Sequence, residues 1–136
     1  MKKPDIILFY NTMFDMPLSY TARDIPENFM MTTDRRFMRD AVAVVFHLPS
    51  LYPIIMNKIG RRFPVLYPLF FKSRRLMKNK RQLWVAWFME CEVHYPHMSC
   101  RSFMESFDLT MSYHLDADIV APYFHDGLRK LLRGPV

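Results

Sequence analysis

Two unbroken apolar runs, Ala41 to Phe46 (AVAVVF) and Leu83 to Met89 (LWVAWFM), constrain this chain more than any other feature. Neither alternates polar with apolar as a half-solvated strand does. Both fall far short of the roughly 20 apolar residues that a bilayer-crossing helix needs. Runs of this length fit strands of a parallel sheet covered on both faces, so the rest of the chain must supply that cover. At 136 residues, 51% hydrophobic and 15% aromatic, it has material for one core in one domain and is not a disordered protein. Three glycines and ten scattered prolines also exclude collagen, a flexible linker and the Gly-rich phosphate loops of nucleotide-binding motifs.

The flanking segments complete an α/β pattern. Asp5 to Tyr10, bounded by Pro4 and Asn11, reads as a first strand, and Phe29 to Thr32 as a second. Thr33 and Asp34 are helix-capping types ahead of a short basic turn, Arg35 to Asp40. His47 to Ser50 ends the strand that begins at Ala41, at a proline, and Leu51 to Arg81, with Gly60 and three prolines, reads as an irregular loop or insertion. Leu83 to Met89 is then the central strand. Ser99 or Ser102 is placed to cap a short helix through Phe107, and Asp108 to Tyr113 reads as a further strand with Leu109, Met111 and Tyr113 on one face. Strands alternating with short helical pieces indicate a Rossmann-like parallel sheet. The domain is expected over residues 1–125, with 126–136 a short terminal helix or the start of a linker.

Charge is unevenly distributed. The balance of 19 Lys and Arg against 13 Asp and Glu gives +6. Nine basic side chains fall between Lys58 and Arg81 with no acidic one, and Leu83 to Asp126 is net acidic. With Phe63, Tyr67, Phe70 and Phe71 interleaved, the basic segment could contact an anionic membrane surface peripherally. The plainer reading is a solvated loop, since Pro64 and Pro68 break a long amphipathic helix. No nucleic-acid motif accompanies the charge, and no nucleic-acid partner is expected. The apolar run Ile6 to Tyr10 is too short for a secretory signal core. The expectation is therefore a cytoplasmic chain, or one peripheral on the inner membrane surface, with Cys91 and Cys100 reduced.

In open α/β sheets ligands gather beyond the carboxyl ends of the strands, and Glu90 stands directly after the central one. Flanked by Trp84, Trp87 and Phe88, its carboxylate would be desolvated and its pKa lifted toward that of a general base. Glu92, two residues on, points the same way if the chain stays extended. The alternative is one carboxylate buried and hydrogen-bonded and the other plain surface. Cys91, His94, His97 and Cys100 are spaced by three, but they lie on one ten-residue stretch with Pro96 inside it, unlike the separated knuckles of structural zinc sites. No metal is expected there. Asp116 and Asp118 suit turn capping better than a shared divalent cation. A Gly-flanked serine elbow and an HExxH helix are both absent from the sequence.

Three segments together resemble the alpha-1,3-fucosyltransferase family of inverting glycosyltransferases. Asp40 to Leu48, DAVAVVFHL, is similar to the family's ADAVVFH strand and histidine. Gln82 to Pro96, QLWVAWFMECEVHYP, resembles its GQ-WVW-NFESP segment, with Trp84 at the first tryptophan and Glu90 at the glutamate. Leu109 to Tyr123, LTMSYHLDADIVAPY, is similar to WTMSYRRDSDI followed by VPYG. Cys91 and Glu92 replace the family's Ser and Pro, Arg81 its Gly, and Leu115 and Ala117 depart within the aspartate motif.

The resemblance implies one half of a GT-B-like two-domain enzyme: an N-terminal, acceptor-side half, with GDP-fucose bound by a C-terminal half that would begin where this sequence ends at Val136. It implies no cofactor bound by this half, an acceptor oligosaccharide as partner, and Glu90 as the general base. Trp87, Glu92 and His94 are the acceptor-side candidates. Trp84 and Trp87 fall on opposite faces of an alternating strand, so at least one is core. The rival reading is a non-catalytic carbohydrate-binding or interaction module derived from the same fold.

Overall fold

A computed structural model describes residues 3–20, 22–55, 69–73 and 76–121. The apolar runs form strands: β1 (Asp5–Phe9), β2 (Phe29–Thr32), β3 (Ala43–His47), β4 (Leu83–Trp87), β5 (Leu109–Ser112) and β6 (Ile119–Val120). All pair in parallel, in the order β2-β1-β3-β4-β5-β6. The order reverses at β1, with β2 on one side and β3 to β6 running outward on the other. That makes the β1–β3 junction the topological switch point of a Rossmann-like sheet.

Alternation along each strand sorts side chains between two faces. Ile6 and Leu8, Val44 and Phe46, and Trp84 and Ala86 belong to one buried cluster; Phe9, Val45 and Val85 form the other, with Ile7, Met31, Trp87, Leu109 and Met111 against them. The first face carries the helices. Helix α1 (Leu48–Ile55) contributes Leu48, Leu51 and Ile55, α2 (Leu69–Ser73) contributes Phe70 and Phe71, and α3 (Arg101–Met104) contributes Phe103. There Phe46, Phe71, Trp84, Phe103 and Phe107 pack with ring centroids 4.9 to 5.7 Å apart, the spacing at which aromatic quadrupoles favour tilted and edge contacts. On the second face Leu18, from the chain after β1, adds cover.

Several expectations shift. The stretch from Leu51, read as irregular, opens inside α1: Pro49 falls in the helix's first turn, where its missing N–H is not needed. Pro53 removes one rung, but Leu48, Leu51 and Ile55 at i, i+3 and i+7 are all buried. Their burial holds the helix despite the prolines. Strand β3 starts at Ala43 rather than Ala41, because the Ala41 N–H donates to the Phe37 carbonyl (2.9 Å) and closes the 3-10 turn Arg35–Arg39 instead of entering the ladder. Asp34 caps that turn by accepting from the Arg36 N–H. Neither Ser99 nor Ser102 caps a helix. Cys100 precedes α3 without a side-chain bond, and α3 stops at Met104. Strand β6, only two residues long, has no sequence signature.

The expected membrane-contact segment lies largely outside the described residues, including Lys58, Arg61, Arg62, Phe63, Tyr67, Arg74 and Arg75, and so do Tyr123 and the tail 126–136. Among the described residues no helix is long and apolar enough to cross a membrane.

Candidate active site at the carboxyl edge of the sheet

Because every strand runs the same way, all the carboxyl ends share one edge, and the loops that leave it are brought together. Strand β4 is positioned by polar groups at its opposite end. Gln82, 3% exposed, donates to the carbonyls of Met38 (2.7 Å) and Ala41 (2.9 Å) and accepts from Trp84 Nε1 (2.8 Å). Asp108 accepts from the Trp84 N–H at 2.7 Å and pairs with Lys78. Desolvation works against the Asp108 carboxylate, yet those hydrogen bonds hold its pKa below the usual value.

From that anchored start β4 carries Trp84 into the helix-covered core and Trp87 onto the other face, half-buried, 6.1 Å from Phe9 and 4.8 Å from His47 between ring centroids. Of the two tryptophans, only Trp87 stands near the carboxyl edge. Phe88 and Met89 continue buried, and Glu90 follows at a bend, half-buried. The chain then turns, with Cys91 and Glu92 carbonyls accepting from the amides of His94 and Tyr95, both at 3.1 Å. The extended geometry that would aim Glu92 alongside Glu90 therefore ends at the bend.

Glu92 instead meets a residue from the next loop. His114 Nε2 lies 3.1 Å from Glu92 Oε1, and the His114 ring stacks on Tyr113 at 4.4 Å. Burial first, then the negative charges of Glu92, Cys91 and Glu90, push the Tyr113 phenol above its ordinary pKa. That ordering places Glu90, Glu92 and Tyr113 in one electrostatic neighbourhood. A cleft of about 250 Å³ opens beside them, lined by Phe88, Glu92, Thr110, Ser112, His114 and Asp116. Its walls mix an aromatic ring with hydroxyls, an imidazole and carboxylates, a lining suited to a polyhydroxylated ligand.

His94 is exposed in the turn and does not line this cleft. His97 is fully buried, bonded through Nε2 to the Leu48 carbonyl (2.9 Å) and packed against Tyr52, Tyr95 and Phe103. Burial pushes its pKa down to about 4. Cys91 is exposed and both cysteines carry thiols. Among the described residues no three His, Cys, Asp or Glu side chains converge as a metal site would require. Asp118 accepts from the Thr110 amide (2.8 Å) and hydroxyl (2.9 Å), bonds that lower its pKa and tie the turn to β5. Asp116 remains on the cleft wall.

A second polar cluster lies at the switch point. Asn11, just after β1, donates from Nδ2 to the His47 carbonyl (2.8 Å) and accepts the His47 N–H on Oδ1 (3.1 Å), extending the β1–β3 seam with a side chain. A cleft of about 330 Å³ beside it is lined by Tyr10, Asn11, Thr12, Asp15, Thr33 and Arg35 among others. Arg35 lies over the Tyr10 ring at 4.2 Å and donates to the Tyr10 carbonyl. Asn11 and Arg35 have no motif that marks them in sequence. Their partners are 36 and 25 residues away.

A six-stranded parallel sheet with helices, with carboxylates, imidazole and aromatic side chains at its carboxyl edge, defines a Rossmann-like α/β domain. A family model described as fucosyltransferase, N-terminal, matches residues 2–124, and the chain belongs to that family. It is thus a glycosyltransferase-family domain whose family works on sugars. No curated protein matches the chain.

Proposed function

We propose that this chain is the acceptor-side half of a fucosyltransferase. It would bind an acceptor glycan at the carboxyl edge, while a C-terminal half holds GDP-fucose and no cofactor is needed from this half. The observation that supports the reading most directly is half-buried Glu90 at the bend three residues past the end of the central strand, in the loop that sends Glu92 to the polar cleft, in a chain of this family.

In the proposed step an acceptor hydroxyl oxygen attacks the anomeric carbon of fucose, and the bond from that carbon to the phosphate oxygen breaks with inversion. GDP leaves with the electron pair, and Glu90 takes the hydroxyl proton. A base must lie within hydrogen-bond reach of that proton. Trp87 would wall the acceptor site, with Glu92 held by His114 and His94 farther out on the turn. Peripheral membrane contact through Lys58 to Arg81, on the inner surface, is part of the same proposal.

Labelled GDP-fucose and N-acetyllactosamine, supplied to the chain alone and to the chain mixed with a separately expressed donor half of a related enzyme, test this. Transfer is expected in the mixture. Glu90→Gln should lower it by at least about 100-fold, the lower range for loss of a general base, with the fold unchanged. Retained activity within threefold would sink the base assignment. The match is to an N-terminal region, which also suits a module that binds glycan without transfer; sugar binding with no transfer in any mixture marks that reading.

A further inference from the structure

His47 ends β3 at the switch point and is 0% exposed, yet its Nε2 has no hydrogen-bond partner among the described residues. A buried acceptor left unpaired is costly, so its survival needs a reason. The surrounding bonds decide which tautomer is present. Ser50 Oγ donates its single proton to the Thr12 carbonyl (3.0 Å) and accepts the Phe14 N–H (2.9 Å). It lies 2.7 Å from His47 Nδ1 and has no proton left for it, so Nδ1 is the donor. Nε2 therefore carries a bare lone pair. Burial pushes the His47 pKa down to about 4, which keeps the ring neutral and the lone pair available near neutral pH.

Two rings flank the imidazole. Trp87, its register partner on β4, lies 4.8 Å away, and Phe14 sits edge-on at 5.2 Å. Phe14 is unusual on two counts: it is 49% exposed, and its backbone occupies the left-handed region (φ 45, ψ 44), followed by Asp15 at φ 60. Non-glycine residues held there are strained, and such strain collects at binding and switch segments. A neutral lone pair takes an O–H or N–H donor rather than an anion, and a half-buried indole beside it suits the apolar face of a pyranose.

We propose that His47 Nε2 accepts a hydrogen bond from a hydroxyl of the acceptor sugar, reached when the Phe14 ring moves aside, with Trp87 as the surface on which that sugar rests. The inference rests on the acceptor-side reading above and adds a named contact to it. His47 is a binding residue in this scheme, and Ser50 a positioning residue that fixes its tautomer.

Long-range nitrogen–proton NMR of the full chain reads both ring nitrogens of His47 and the Trp87 indole while N-acetyllactosamine, galactose or N-acetylglucosamine is added. In the free chain Nδ1 should be protonated and Nε2 bare. With a bound sugar, Nε2 should move upfield, as a hydrogen-bonded lone pair does, together with a shift at Trp87. Movement of Trp87 with Nε2 unchanged would overturn the His47 contact and leave the acceptor-side reading intact. Silence at both probes with all three sugars removes the contact along with the reading it rests on. Phe14→Ala, which leaves the Ser50 network its backbone donor, should raise the His47 protonation midpoint from about 4 toward the ordinary histidine value and bring the Nε2 response to lower sugar concentration. A midpoint still at about 4 in that variant would rule out Phe14 as the cover.

Discussion

Gln82 illustrates how one polar side chain can register several segments at once. Its amide meets two carbonyls of the turn before β3 and the indole nitrogen of Trp84, all inside the core. Replacing it by Leu would leave those three groups unpaired in the interior, where each orphaned group costs about 1–3 kcal/mol. Gln82→Leu is expected to destabilise the chain by roughly 3 kcal/mol in urea titration, whereas a change below about 0.5 kcal/mol would mean that water replaces the lost bonds. The Glu92–His114 pair is a different case. Both side chains are more than a third exposed, and exposed ion pairs contribute at most about 1 kcal/mol. It matters for joining the loop that carries Glu90 to the loop after β5. Glu92, one of the departures from the resembled segment, is the residue that meets His114.

At the scale of elements, α1 is where local propensity and tertiary packing disagree. Two prolines in eight residues argue against a helix, but Leu48, Leu51 and Ile55 line up on one side and are buried against the sheet. If packing holds the helix, Leu51→Ala should cost about 2–5 kcal/mol, the range for truncating a core leucine. A loss under about 1 kcal/mol by chemical denaturation would show that α1 is held some other way. Strand β4 raises the complementary issue. Alternation alone separates Trp84 from Trp87, but which of them is core depends on which face receives the helices, and the helices come from segments far away in sequence. Likewise the expected strand Asp108 to Tyr113 is present as Leu109–Ser112, with Leu109 and Met111 on the second face. Its partner β6 is held by Asp118 reaching back to Thr110.

For the whole molecule, His47 and His97, both fully buried, contribute to the acid response of folding. Burial lowers the pKa of both His47 and His97 from 6.5 to about 4. Between those values the unfolded chain binds protons that the folded chain refuses, so folding stability rises with pH across that window. The contribution is fully present above pH 6.5 and is lost as pH falls toward about 4, amounting to at most about 3 kcal/mol per histidine. Urea midpoints taken from pH 7 down to 4.5 should therefore fall before most carboxylates titrate. His97→Phe should flatten that slope, and a midpoint that stays level through the window would show that both rings are protonated in the folded state.

The sheet itself was determined by sequence in a strong sense. Short unbroken runs rich in Val, Phe and Trp suit a strand covered on both faces better than a buried helix, by their length and their β-branched and aromatic content, and a one-residue change of register would send every side chain to the other face. The three family-like segments were legible because the family pattern is written in contiguous residues; Glu90 is expected directly after the central strand, whereas β4 ends at Trp87 and Glu90 follows three residues on. Tertiary structure alone decided that a proline-bearing segment is helix, that Trp84 is core while Trp87 faces the edge, that Gln82 and Asn11 stitch strands together, and that Glu92 finds His114. Each of these depends on a partner between 22 and 44 residues away or on which face the helices cover. Local propensity and spacing carry no term for such contacts; they exist only once the chain has closed on itself and water has left the interior.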